Sequence, residues 1–140
     1  MDLLSSKTRA DLGWDLLLSQ LAARCHSDRG AQLCRDLSPL PSAEEAHARQ
    51  AEVSEARALQ DRGEPLPFGG VRDLREALGR AAKGGALLPP ELVDVARTLM
   101  AGARLRRHVS SRAEHCQRLL SHAGGIAELV DVSGPIEDAF

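Results

Sequence analysis

Leu12, Leu16, Leu17 and Leu21 recur at the three-to-four-residue spacing of an α-helix, behind the polar opening Ser5-Ser6-Lys7-Thr8. The pattern predicts a first helix over residues 11–24, with Trp14 beside that row. Ser27 can cap a short second helix carrying Leu33, Cys34 and Leu37, which Ser38-Pro39 ends. Ser42-Ala43-Glu44-Glu45 reads as a capping box, in which the Ser42 hydroxyl accepts from the Glu45 amide while Glu45 reaches back. It opens a long helix over residues 43–62, with Ala46, Val53, Ala56 and Leu59 inward and Gly63 as its stop.

After the rigid stretch Pro65-Leu66-Pro67-Phe68-Gly69-Gly70, a helix is expected over residues 71–82, stopped by Gly84-Gly85. Pro89-Pro90-Glu91 starts another, over residues 90–108, because proline is tolerated in a first turn. Its apolar face runs Leu92, Val95, Ala96, Leu99, Ala103 and Leu105. A weaker helix is expected over residues 111–121, followed by turns at Gly124-Gly125 and Gly134-Pro135. The fold class is therefore all-α: an irregular bundle of six or seven helices without significant sheet. One helical domain over residues 1–140 is expected, and an internal boundary would fall near 84–90.

Composition agrees with helices. Aromatic residues make up 2% of the chain, with no Tyr, and only Trp14, Phe68 and Phe140 interrupt the aliphatics. A core of Leu, Ala and Val suits helix on helix better than strands, which favour aromatic and β-branched residues. No apolar run reaches the ~18 residues that span a bilayer, and no charged-then-apolar leader opens the chain. Cys25, Cys34 and Cys116 form no CxxC pair, so reduced thiols in a cytoplasmic protein are expected.

The motifs of catalysis are missing. Gly79-Arg80-Ala81-Ala82-Lys83-Gly84-Gly85 places its lysine before the second glycine, where amides and ammonium cannot converge on phosphates. There is no G-x-S-x-G and no H-E-x-x-H. Two groups carry metal-ligating side chains: Cys25-His26 with Cys34, and His108, His115, Cys116 and His122. Neither has the closely paired ligands that zinc usually draws, so no metal site is expected. Cys34, among apolar helix positions, reads as a small hydrophobe.

Charge leaves one question open. The formal net charge is −2, and of 18 basic residues only Lys7 and Lys83 are lysine. Arginine suits phosphate forks, although a GC-rich genome also inflates Arg, Ala, Gly, Leu and Pro. Between positions 97 and 118 stand Arg97, Arg104, Arg106, Arg107, Arg112 and Arg118 against one acid, Glu114. Arg97, Arg104, Arg106, Arg107 and Arg112 are the candidate nucleic-acid contacts. The competing reading pairs these arginines with acids of the same chain, and Glu128, Asp131, Glu137 and Asp138 follow without a basic residue between them.

Two stretches carry a family resemblance. Leu12-Gly13-Trp14-Asp15-Leu16-Leu17-Leu18, then Arg29-Gly30 and Leu37-Ser38-Pro39-Leu40-Pro41-Ser42, resemble the start of the MutS core, and residues 42–57 fit its long helix. Residues 66–99, LPFGGVRDLREALGRAAKGGALLPPELVDVARTL, are similar to the second bacterial MutS family, the branch that usually ends in a small MutS-related nuclease domain. The two stretches cover about residues 8–99, and Ile136-Glu137-Asp138-Ala139-Phe140 resembles the approach to the family's clamp. The Phe-x-Glu wedge that mismatch-repair members stack on a mispaired base occurs nowhere here, which agrees with the second family.

The resemblance implies a parent protein that is an ATPase using ATP and Mg, dimerises, and carries a C-terminal nuclease domain in many members. It implies branched DNA or collided ribosomes as targets, held by a clamp. On it, this chain is expected to stop short of the clamp and to be the non-catalytic N-terminal core, with the clamp and ATPase domains as its partners. No catalytic or cofactor-binding residue of the family maps onto these positions. Outside the resemblance, a free-standing helical interaction module and a direct nucleic-acid-binding domain remain as alternatives.

Overall fold

The computed structural model describes residues 5–140. Among them are eight α-helices and one 3-10 turn, with no strand, so the chain is all-α. Backbone packing divides it into two compact units, one running to Arg49 and the other spanning Gln50–Phe140.

In the first unit, the helix expected over 11–24 is α2 (Trp14–Ala22), and an unexpected short helix, α1 (Ser6–Asp11), precedes it in the polar opening. Gly13 separates them at φ +60°, a left-handed conformation that other residues resist. Ser5 caps α1, its hydroxyl accepting from the Thr8 amide at 3.1 Å. The inward face of α2 is Leu18 and Ala22, while Leu12, Leu16, Leu17 and Leu21 are 43–65% exposed. Helical spacing found the helix but not its buried side, because Leu16, Leu17, Leu18 and Leu21 spread its apolar residues well beyond one face, leaving Asp15, Ser19 and Gln20 as the polar positions. Helix α3 (Asp28–Arg35) packs on α2 and is capped by Ser27, whose hydroxyl accepts from the Gly30 amide at 3.1 Å. The Ser42 hydroxyl likewise accepts from the Glu45 amide at 3.1 Å and opens α4 (Ala43–Asp61), within which the unit boundary falls.

The second unit is built around a buried cluster of Leu59, Val109, Cys116 and Ala123, with Leu66, Leu105, Leu119 and Leu120 packed against it. Leu59 is fully buried, whereas Val53, expected inward on the same helix, is 67% exposed. Six residues turn a helix by about 240°, so the two cannot share a face. At the end of α4, Gly63 takes φ +76°, and the Glu64 amide donates to the Leu59 carbonyl at 2.9 Å.

Helix α5 (Arg75–Ala81) starts four residues later than its apolar pattern suggested. The Arg72 amide donates to the Thr98 hydroxyl instead, at 3.0 Å, and Asp73 accepts from the Arg75 amide at 3.1 Å. Gly84, at φ +84°, and the Gly85 amide, donating to the Arg80 carbonyl at 3.0 Å, end α5.

Helix α6 (Pro89–Ser110) opens on its two prolines, with the Glu91 carboxylate accepting from the Leu88 amide at 2.9 Å. It buries Val95, Ala96, Ala101 and Val109 and packs against α7 (Gln117–Ala123) and α8 (Val130–Glu137). Leu92, Leu99, Ala103 and Leu105 are half-buried. The helix expected over 111–121 is interrupted: Ala113–His115 is a 3-10 turn, and α7 begins only at Gln117. Gly134-Pro135, expected as a turn, lies inside α8. Pro135 forfeits its own amide bond, and the helix closes past it through the Asp138 amide on the Gly134 carbonyl at 3.0 Å.

Candidate functional site

The arginines of α6 and the segment after it all lie in the second unit, and the chain uses three of their side chains internally. The Arg104 guanidinium donates to the Gly69 carbonyl at 2.9 Å. Beside it, Gly70 takes φ +97°; a Cβ there would sit 3.5 Å from Arg104 Nη2 and 3.6 Å from the Arg97 carbonyl. The glycine is what lets the loop lie against α6. Arg106 donates to the Ile126 carbonyl at 2.8 Å and faces Glu128 at 3.8 Å. Arg112 donates to the Glu64 carboxylate at 3.0 Å and to the His108 carbonyl at 3.1 Å.

The guanidinium groups of Arg97, Arg107 and Arg118 have no partner among the described residues. Arg107 and Arg104 line a cavity of about 290 Å³ on α6, but Glu128 and Glu137 line it too, with Leu99, Met100, Leu129 and Val130. Its charge is therefore mixed, which favours no simple anion. Of the acids expected to answer the arginines, Glu128 does so; the acid on Arg112 is Glu64, from just past α4. The Arg112 hydrogen bond is the main cause holding the Glu64 carboxyl below its ordinary range. Beside the pair is a hollow of about 420 Å³ lined by Arg62, Glu64, Ser111, Arg112, Glu114 and His115. Arg112 Nε is buried there without an acceptor among the described residues.

Two acids of α4 hold α7 in place. Glu55 accepts from the Arg118 amide at 3.0 Å and from the Leu119 amide at 3.0 Å, occupying the amide-rich start of that helix. Glu52 Oε1 lies 3.1 Å from His122 Nε2. Sequence reasoning missed both acids. A signal was present: Glu52, Glu55 and Leu59 fall on one helical stripe, so the acids flank a buried position.

The histidines and cysteines that could ligate a metal are dispersed. His108 Nε2 meets the Glu64 carbonyl at 3.1 Å, His115 is exposed, and Cys116 is fully buried with its sulfur 3.1 Å from the Arg112 carbonyl. Burial, with Glu55 nearby, pushes the Cys116 thiol up. Cys25 and Cys34 do meet, sulfur to sulfur, at 3.4 Å. Among the described residues no three His, Cys, Asp or Glu side chains are grouped to hold one ion, and no helix is long and apolar enough to cross a membrane.

No protein-family model matches the chain. Individual proteins do. It is 37% identical over 137 residues to a protein named endonuclease MutS2 from Anaeromyxobacter sp. strain Fw109-5, covering 98% of this chain and 17% of that protein. It is 36% identical over 109 residues to endonuclease MutS2 of Symbiobacterium thermophilum, covering 78% of this chain and 14% of the relative. Endonuclease MutS2 of Geobacillus sp. strain WCH70 is 35% identical over 130 residues, 90% of this chain and 16% of the relative. The chain thus spans only a small part of the length of the curated relatives it matches.

Proposed function

The chain belongs to the MutS2 family as a segment of a longer protein of that type, and on this premise we propose that it is a non-catalytic helical core, coupling an ATPase to a clamp on nucleic acid. Helix α2 carries the reading. Leu18 and Ala22 face inward, yet Leu16, Leu17 and Leu21 on its other sides are exposed. The Trp14 indole N–H is buried without an acceptor among the described residues. Leucines left 43–65% exposed beside the buried face are apolar surface that a larger protein would cover, and nine residues are far too few to cross a bilayer. The clamp and ATPase portions of a MutS2-type protein are the cover we assign to it.

The second support is α6, which holds α7, α8 and the Gly69-Gly70 loop by packing and by arginine tethers. Interiors packed this way shift between discrete arrangements rather than deforming smoothly, as a lever requires. In this reading ATP, Mg and the nuclease chemistry lie outside these residues, and the clamp's target is branched DNA or a collided ribosome.

A second reading, direct nucleic-acid binding, is favoured by the unpartnered guanidiniums of Arg97, Arg107 and Arg118. Titrating the chain with branched DNA and with an rRNA hairpin, at low and at physiological salt, separates the two. The core reading expects no binding that weakens with salt. Salt-dependent binding that Arg97→Ala and Arg107→Ala reduce would overturn it in favour of direct contact.

A further inference from the structure

Cys25 lies just past α2 and Cys34 in the last turn of α3, and their sulfurs stand 3.4 Å apart. Helix packing holds them there. Helices α2 and α3 pack together, the Ser27 cap fixes the turn between them, and Gly30 lies close against that cap, where an added Cβ would be 3.1 Å from Ser27 Oγ. Both cysteines are partly exposed, so a small reagent can reach them, whereas Cys116 is fully buried.

We propose that Cys25 and Cys34 are a redox-active thiol pair, closed to an internal disulfide by small-molecule disulfides of the oxidised-glutathione type. One cysteine, as thiolate, attacks the reagent and displaces one small thiol, leaving a mixed disulfide on the protein. The second cysteine, as thiolate, attacks that protein sulfur and displaces the other small thiol. Two protein S–H bonds are exchanged for one S–S bond, the departing thiolates take up the two protons, and the reagent gains the two electrons. The sulfurs must close to ~2.05 Å, a movement that side-chain rotation supplies while the helices stay packed. Burial foremost, then the Cys25 contact, pushes the Cys34 thiol up, so closure quickens toward alkaline pH. Once formed, the bond staples α3 to α2 across a short loop.

The whole chain is incubated with oxidised glutathione, alkylated and digested with trypsin, which cleaves after Arg24, Arg29 and Arg35. The expected product is peptide 25–29 joined to peptide 30–35, with two of the three thiols lost to alkylation, Cys116 still alkylated, and full recovery on reduction. With Cys34→Ser, closure is blocked, and Cys25 should accumulate as the glutathione adduct. Retention of all three thiols in the wild-type chain overturns the proposal. So do adducts or intermolecular dimers without the internal link, and oxidation at Cys116 ahead of the pair.

Discussion

The Glu55 carboxylate sits at the start of the helix that contains Arg118, accepting that residue's amide at 3.0 Å and the Leu119 amide at the same distance. Helix α7 is only seven residues long and makes no side-chain cap of its own, so its first amides depend on an acid 63 positions away. Glu55→Ala should cost about 1 kcal/mol by leaving those amides without an acceptor. Glu55→Gln, which keeps one carbonyl oxygen, should cost less. Urea midpoints of the two variants check the order.

The core predicts a sharper contrast on one helix. Leu59 is fully buried, so Leu59→Ala should cost about 2–5 kcal/mol. Val53 is 67% exposed, so Val53→Ala should stay within about 0.5 kcal/mol of the parent. Chemical denaturation of both variants would reverse this account of α4 if Val53 proved the costlier.

Glu64 and Arg112 make stability depend on acid. Arg112 holds the folded-state carboxyl below its ordinary value of 4.5, so the unfolded chain takes up a proton first as pH falls. The contribution is fully present above the ordinary value and is lost as pH falls through the lower folded value. Glu64→Gln should therefore be less stable than the parent near neutrality, and the gap should close in acid. Thermal melts across that range test it; a gap independent of pH would contradict it.

The loop against α6 offers a paired test of backbone geometry. Gly70 takes φ +97°, where a side chain is strained although its Cβ would meet only ordinary contacts, while Gly69 has neither a positive φ nor anything near its missing Cβ. Gly70→Ala should destabilise the second unit by about 1 kcal/mol or more, and Gly69→Ala should be close to neutral. Amide exchange along α6 should quicken only in the former.

What could be read from the sequence was what depends on near neighbours. Ser27 and Ser42 cap their helices, Gly63 and Gly84 stop theirs, and the prolines open α6, because each effect acts within a turn. Buried faces were legible only where polarity alternates. The wide spread of leucines on α2 hid Leu18 and Ala22, and a lone Val53 on a polar helix was not enough to fix its side. Gly134-Pro135 looked like a turn, but proline removes only one bond and α8 runs past it. The candidate site was least legible. Arg104 and Arg106 end on backbone carbonyls at Gly69 and Ile126, and carbonyls carry no mark in a sequence. The family resemblance in residues 8–99 agrees with the relatives matched over almost the whole chain.

Beside α6, the 19-residue α4 is the other long helix through which the proposed coupling would pass, and the exposed Val53 allows it to be broken with little loss of packing. In an intact MutS2-type protein carrying this segment, nucleic-acid affinity is measured with and without ATP for the parent, Val53→Ala and Val53→Pro. Proline inside a helix removes a hydrogen bond and kinks it, at about 3 kcal/mol, whereas alanine leaves it straight. The account predicts that the ATP-dependent change in affinity survives in Val53→Ala and is lost in Val53→Pro. An undiminished ATP-dependent change in a folded Val53→Pro protein would contradict it.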